Sequence, residues 1–127
     1  MLAAMHIARE DCRSEYLIRA YEEGQVTIGQ QQYRRSLIVS AQAPPAQWRP
    51  RSAGELLRED FEPVLALQPE ILLLGTGQRL DFPSPSLTVA VLQAGVGVEV
   101  MDTAAACRTY NILLSEERRV VAALLLG

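Results

Sequence analysis

The sequence predicts a three-layer α/β fold: a central mixed, mostly parallel sheet with crossover helices, and an additional antiparallel β layer from the N-terminal half. Three observations carry this expectation. The second half alternates apolar runs ended by glycine with segments opened by helix-capping residues. The first half holds short β-rich runs separated by glycine turns. The chain has 127 residues, 49% of them hydrophobic and 21% charged, which suits one domain over 1–127 and is far from a disordered composition.

The elements follow in order. Residues 13–51 read as extended. YLIRAY (16–21) enters a turn at Gly24, VTI (26–28) a second turn at Gly29, and YRRSLIVS (33–40) follows, the pattern of an antiparallel meander. Tyr16, Tyr21 and Tyr33 alternate with polar residues along these runs and pack the meander. From Ala41 to Arg51, Pro44, Pro45 and Pro50 surround the one tryptophan, Trp48. A proline cannot donate to a strand ladder, so this stretch is a stiff crossing loop with Trp48 as its buried anchor.

Residues 52–127 alternate in type. Ser52 or Asp60 can cap a helix within LLREDFEPVLAL, and Pro63 suits the first turn of one capped by Asp60, so the helix is placed at 61–67. EILLLG (70–75) is a continuous apolar run, as in a strand buried on both faces. Ser84 as cap, Pro85 at the first helical position and Gly95 as stop frame a helix over LTVAVLQA. VGVEVM (96–101) is the next strand. Asp102 caps a helix over TAAACRTYNILL, whose Ala106, Cys107, Tyr110, Leu113 and Leu114 share one apolar stripe. RVVAALLL (119–126) closes the chain as a buried strand. Strand and helix in alternation mark a sheet with crossover helices.

Composition narrows the function classes. The formal net charge is −3, from 12 basic and 15 acidic residues, so no domain-wide positive field awaits a nucleic-acid backbone. Every basic residue is Arg. The pairs Arg34-Arg35, Arg49/Arg51 and Arg118-Arg119 read as solvated faces. Cys12 and Cys107 form no CxxC pair, and His6 is the one histidine, so neither a metal site nor a disulfide framework is expected and a reducing compartment fits. No cofactor and no catalytic residue is indicated. The opening MLAAMHIARED lacks a basic region and does not read as a secretory signal. The longest apolar run, Val120–Leu126, is about a third of the ~20 residues that span a bilayer. A cytoplasmic protein without a transmembrane segment is the expectation, and a homodimer is open to it.

The candidate binding site is GTGQRL (75–80), between a buried strand and a helix start. Gly75, Thr76 and Gly77 can turn backbone N–H groups toward an anion, and Arg79 can grip phosphate or carboxylate in a bidentate manner. The third glycine of a dinucleotide fingerprint is missing, Leu80 standing in its place, and no Gly-Lys-Ser/Thr follows. A purely structural role reads the glycines as backbone angles that other residues avoid. Asp102 and Thr103 belong to the same edge if the sheet is parallel, although capping alone accounts for them. Asp81 joins them on position. Asn111, mildly unfavourable within a helix, needs a polar partner.

These motifs are familiar in combination. ILLLGTG…RL, GVGVEVMDT, A..C.TYN.L and RRVVAALL, preceded by Y..G.VTI…Y..SLIV and EDF.P, resemble a family of small conserved domains. It includes bacterial and archaeal proteins of unassigned function, a mitochondrial respiratory complex I assembly factor and an adipogenesis-associated domain protein. The resemblance covers residues 16–126 and implies a three-layer α/β fold. The family's motif positions fall on Gly75, Thr76, Gly77, Val98, Glu99, Val100, Asp102, Thr103, Ala106, Thr109, Asn111 and Leu113. One departure is the final turn, where a glycine usually precedes the basic residue and this chain has Ser115-Glu116-Glu117-Arg118.

Two functions follow. The resemblance implies a non-catalytic interaction or assembly module for membrane or respiratory complexes, with protein partners that include membrane-complex or insertion-machinery subunits and a location peripheral to the inner membrane. The alternative is a small anionic-ligand domain or minor enzyme built on Gly75, Thr76, Gly77, Arg79 and Asp102.

Overall fold

Strand β8 (Val120–Leu124) lies between an antiparallel neighbour, β4 (Leu37–Val39), and a parallel one, β6 (Ile71–Gly75). The computed structural model describes residues 16–127; His6, Cys12 and the opening segment lie outside them. The remaining strands of this sheet are β5 (Ala46–Gln47), antiparallel to β4, and β7 (Gly97–Met101), parallel to β6, in the order β5-β4-β8-β6-β7. A second sheet is the meander β1 (Ile18–Glu22), β2 (Gln25–Ile28) and β3 (Gln31–Tyr33). The central sheet is therefore mixed, its parallel part confined to β7, β6 and β8.

The period-two rule explains why the central strands read as unbroken apolar runs. Leu37, Val39, Leu73, Val120, Ala122 and Leu124 face one core, with the meander's Ile18, Val26 and Ile28. Ile38, Leu72, Leu74, Val121, Ala123 and Leu125 face the other, with Trp48, Phe61, Val64 and Val91. Both faces are covered, so every position must be apolar. Each fully buried Leu or Val side chain contributes about 1.5–3 kcal/mol.

Among the described residues, three helices and two 3-10 turns supply the cover. The turns are Ala53–Glu55 and Arg58–Phe61, and the helices are α1 (Glu62–Leu65), α2 (Pro85–Gln93) and α3 (Thr103–Ser115). Helix α3 packs its buried Ala106, Cys107, Tyr110 and Leu114 against β6, β8 and β1, with Leu113 half-buried beside them. It ends in a Schellman arrangement: Arg118 N–H donates to the Leu113 carbonyl and Glu117 N–H to that of Leu114. Glu117 has φ +64°, and the left-handed angle costs a residue with a Cβ about 1 kcal/mol.

Several local expectations shift. The run 33–40 is divided between the two sheets. Ser36, buried, turns the chain: its hydroxyl accepts from Leu126 N–H at 2.9 Å and its carbonyl from Trp48 N–H at 2.8 Å. The crossing loop contributes the two-residue strand β5. Trp48 is its buried anchor, edge-on to Phe61 at 5.9 Å. The helix placed at 61–67 is only α1, preceded by a 3-10 turn. Trp48 Nε1 donates to the Asp60 carbonyl at 2.8 Å, occupying an acceptor that a longer helix would use. The Asp60 carboxylate accepts from Leu57 N–H (2.8 Å), Arg49 Nε (3.0 Å) and Arg49 Nη2 (2.7 Å), so it secures the 3-10 turn instead of capping α1. Neither Ser52 nor Ser84 makes a side-chain cap bond.

The hydrogen bonds from Arg49 hold the Asp60 carboxyl below its ordinary 3.8, against the opposing effect of burial. A depressed folded-state pKa contributes stability above the unfolded value that is lost as pH falls through the folded one. Asp60→Asn is expected to lower unfolding free energy at neutral pH by about 1–2 kcal/mol, a modest loss because water screens the half-exposed Arg49. Denaturant titrations between about pH 5 and pH 2 should show the wild type approaching the variant as the carboxylate is protonated.

Candidate functional site

The GTG segment is where β6, β7, β8 and α3 meet. At Gly75 a Cβ would lie 2.9 Å from the Thr103 Cα and 3.1 Å from the Ala106 Cβ, so only glycine lets the first turn of α3 seat against the strand end. Gly75 C=O accepts from Leu125 N–H at 2.9 Å. The buried Thr103 hydroxyl accepts from Gly77 N–H at 2.8 Å and donates to the Leu125 carbonyl at 3.0 Å. Three segments distant in sequence are thus joined through one side chain.

The loop beyond is folded around Thr76. Its N–H donates to the Met101 carbonyl at 2.9 Å. Its hydroxyl donates to the Arg79 carbonyl at 2.6 Å and accepts from Asp81 N–H at 3.0 Å. Gly77 turns with φ +106° and no atom crowding its Cβ position. The amides of Thr76 and Gly77 are therefore directed into the protein, while the Arg79 side chain is exposed. Asp102 caps α3 by accepting from Ala105 N–H at 2.8 Å.

Gly75, Thr76, Gly77, Arg79, Asp102 and Thr103 are brought together at the carboxyl ends of β6 and β7. Asn111 is not among them: it lies two turns along α3, where its amide brackets β1, Oδ1 accepting from Ile18 N–H (2.9 Å) and Nδ2 donating to the Ile18 carbonyl (2.7 Å). A cleft of about 500 Å³ opens beside the loop, lined by Thr76, Gly77, Arg79 and Asp81 and by Tyr21, Arg51 and Leu126. Tyr21 and Arg51 escaped the sequence reading because they approach through long-range pairing, without a local signal.

The cleft's charged side chains are the guanidinium groups of Arg51 and Arg79 and the carboxylate of Asp81. Elsewhere, burial pushes the Cys107 thiol up to about 12, which keeps it protonated and inert as a nucleophile. The Tyr110 hydroxyl is buried with no hydrogen-bond partner among the described residues, and burial raises its pKa as well. Among the described residues, no cluster of three or more His, Cys, Asp or Glu could hold a metal ion, and no helix is long and apolar enough to cross a membrane.

These features define a small α/β domain with a mixed sheet and a separate three-stranded layer. A solved Bordetella pertussis protein described as a Mth938-like domain shares the arrangement, with TM-score 0.78 and 31% identity over 89% of this chain and 87% of that one. The chain belongs to the family described as protein of unknown function (DUF498/DUF598), whose pattern matches residues 18–125. A Francisella tularensis relative called 13 kDa major membrane protein is 29% identical over 91% of this chain and 95% of its own. The Xenopus tropicalis NADH dehydrogenase (ubiquinone) 1 alpha subcomplex assembly factor 3 is 42% identical over 81 residues, covering 62% of this chain and 44% of that protein. The chain thus spans under half the length of that assembly factor.

Two substitutions separate architecture from binding. Asn111→Ala is expected to cost about 1–3 kcal/mol by leaving both backbone groups of Ile18 unpaired, with faster hydrogen exchange in β1–β3 than in β6 and β8. Gly75→Ala is expected to cost about 2 kcal/mol or more, because its methyl group meets the Thr103 Cα at 2.9 Å and the hydrogen-bonded Thr103 hydroxyl at 3.0 Å, neither free to move aside. Thermal unfolding of the variant measures the loss.

Proposed function

We propose that this protein is an interaction module acting in the assembly of membrane or respiratory complexes. The observation that carries the reading is the likeness to assembly factor 3 over 81 residues at 42% identity, within a family match spanning 18–125. The Francisella relative's name supports a place at a membrane, and a position peripheral to the inner membrane is part of the proposal. In this reading the domain is a rigid platform. Its charged outer side chains hold partner subunits, and catalysis plays no part.

The small-ligand alternative draws less support from the site. Its premise was a set of glycine-loop amides facing an anion, and those of Thr76 and Gly77 donate to Met101 and Thr103.

Deleting the gene is expected to lower the amount of an assembled membrane complex, read by native gel electrophoresis and quantitative proteomics of membranes, with its subunits still synthesised. Normal levels of every membrane complex in the deletion strain would refute the proposal. For the alternative, phosphate, nucleotides and carboxylates would have to raise the melting temperature of wild type and not of Arg79→Ala. A ligand at about 100 times its Kd adds roughly 2.7 kcal/mol, a readily measured shift.

A further inference from the structure

The cleft beside the GTG loop continues past the end of β8 into a second one. The two, of about 500 and 530 Å³, share Arg51, Leu126 and Gly127 as a common wall. Together they gather Arg34, Arg35, Arg49, Arg51 and Arg79, five of the chain's 12 basic residues, with Asp81 as the one acidic side chain of the lining. Arg49 is committed to Asp60 at 2.7 Å. The guanidinium groups of the other four make no ion pair or hydrogen bond among the described residues.

This concentration runs against the chain's average, whose net charge is −3. Among the lining side chains, cations outnumber anions along the groove. Asp81, with Asp60 on Arg49 and Glu55 beside Arg51, offsets only part of this positive charge, so the groove favours a ligand that brings negative charge.

The backbone beneath these side chains is held firmly. Arg51 N–H donates to Glu55 Oε1 at 3.0 Å, and Gly127 packs so close that a Cβ there would lie 2.6 Å from the Arg51 carbonyl oxygen. Arg79 stands on the loop tied to the Thr76 hydroxyl. Arg34 and Arg35 occupy the passage between the two sheets, fixed at Ser36 by its bond to Leu126. Anchored backbone with unpaired guanidinium groups is a preorganised set of carboxylate donors.

We infer that this groove binds an extended acidic segment, a run of Asp and Glu side chains, on a partner protein. The inference rests on the interaction-module reading and names the chemistry of the partner. A single phosphate engages one cleft, whereas cations strung over two adjoining clefts match charges repeated along a chain. A flat bilayer meets protrusions, and these groups line a concavity.

The test uses the full chain and a fluorescent Glu/Ser peptide, with a Gln/Ser peptide, inorganic phosphate and phosphatidylserine vesicles as comparison arms. Wild type is expected to bind the Glu/Ser peptide alone of the two, more weakly as salt rises. Arg51→Gln with Arg79→Gln is expected to weaken binding about tenfold or more, as removing two charge-assisted contacts should. The charge-matched pair Arg58→Gln with Arg108→Gln, outside the groove, should leave it within about twofold. Arg34→Gln with Arg35→Gln provides a second groove variant, and melting curves establish that each variant is folded.

Failure of wild type to bind the peptide, equal weakening by the control pair, full displacement by phosphate, or preference for vesicles would each overturn the groove assignment. Crosslinking pull-downs keep the two claims apart. Membrane-complex subunits retained by both wild type and the Arg51/Arg79 variant would sink the groove and leave the assembly role standing. If the peptide binds as expected but deletion leaves every complex intact, the groove stands and the assembly role falls.

Discussion

Strand β8 is buried over its whole length, hydrogen-bonded along both edges and covered on both faces, and the other elements are arranged to keep it so. Alanine at positions 122 and 123 lets the layers on either side approach closely. Polar groups could not occupy such a strand without losing their hydration, which is why the closing run is uniformly apolar. Its two neighbours run in opposite directions, so the mixed character of the sheet is settled at this strand. Where β8 ends, the chain is gripped again: Leu125 by Gly75 and Thr103, Leu126 by Ser36.

Those end contacts explain why the GTG segment is both a structural junction and the edge of a cleft. Gly75 admits α3, Thr103 joins three segments with one hydroxyl, and Thr76 folds the following loop upon itself. The glycines serve close approach and a left-handed turn, leaving the guanidinium group of Arg79 as the outward chemistry. Asn111, drawn from the same set of motif positions, holds the meander against α3. Residues that a motif groups together thus divide between joining layers and presenting charge.

The proposed assembly role asks for a platform that presents charge. The groups most altered by their surroundings, Cys107 and Tyr110, are shifted toward inertness by burial instead of being poised near neutral pH. Exposed arginines line the groove beside the GTG loop, where they suit recognition. Chain-wide charge is a poor guide here, because a net negative protein gathers five of its arginines along one groove.

The sequence by itself determined the elements whose signals are local. The apolar runs of β6 and β8, the Asp102 cap, the Gly95 stop and the α3 stripe can all be read from neighbouring residues, since burial on two faces or one leaves a periodic trace. Trp48 as an anchor was equally legible from the prolines around it. Tertiary structure alone decided what depends on distant partners. The division of 33–40 between two sheets comes from Ser36 meeting Leu126 and Trp48. The shortening of the 61–67 helix comes from Trp48 and Arg49 claiming the polar groups of Asp60. Asn111 found its partner in Ile18, and Arg51 reached the GTG loop because Gly127 packs on it. These pairings join residues far apart in the chain, and their energies depend on three-dimensional proximity that no local pattern encodes.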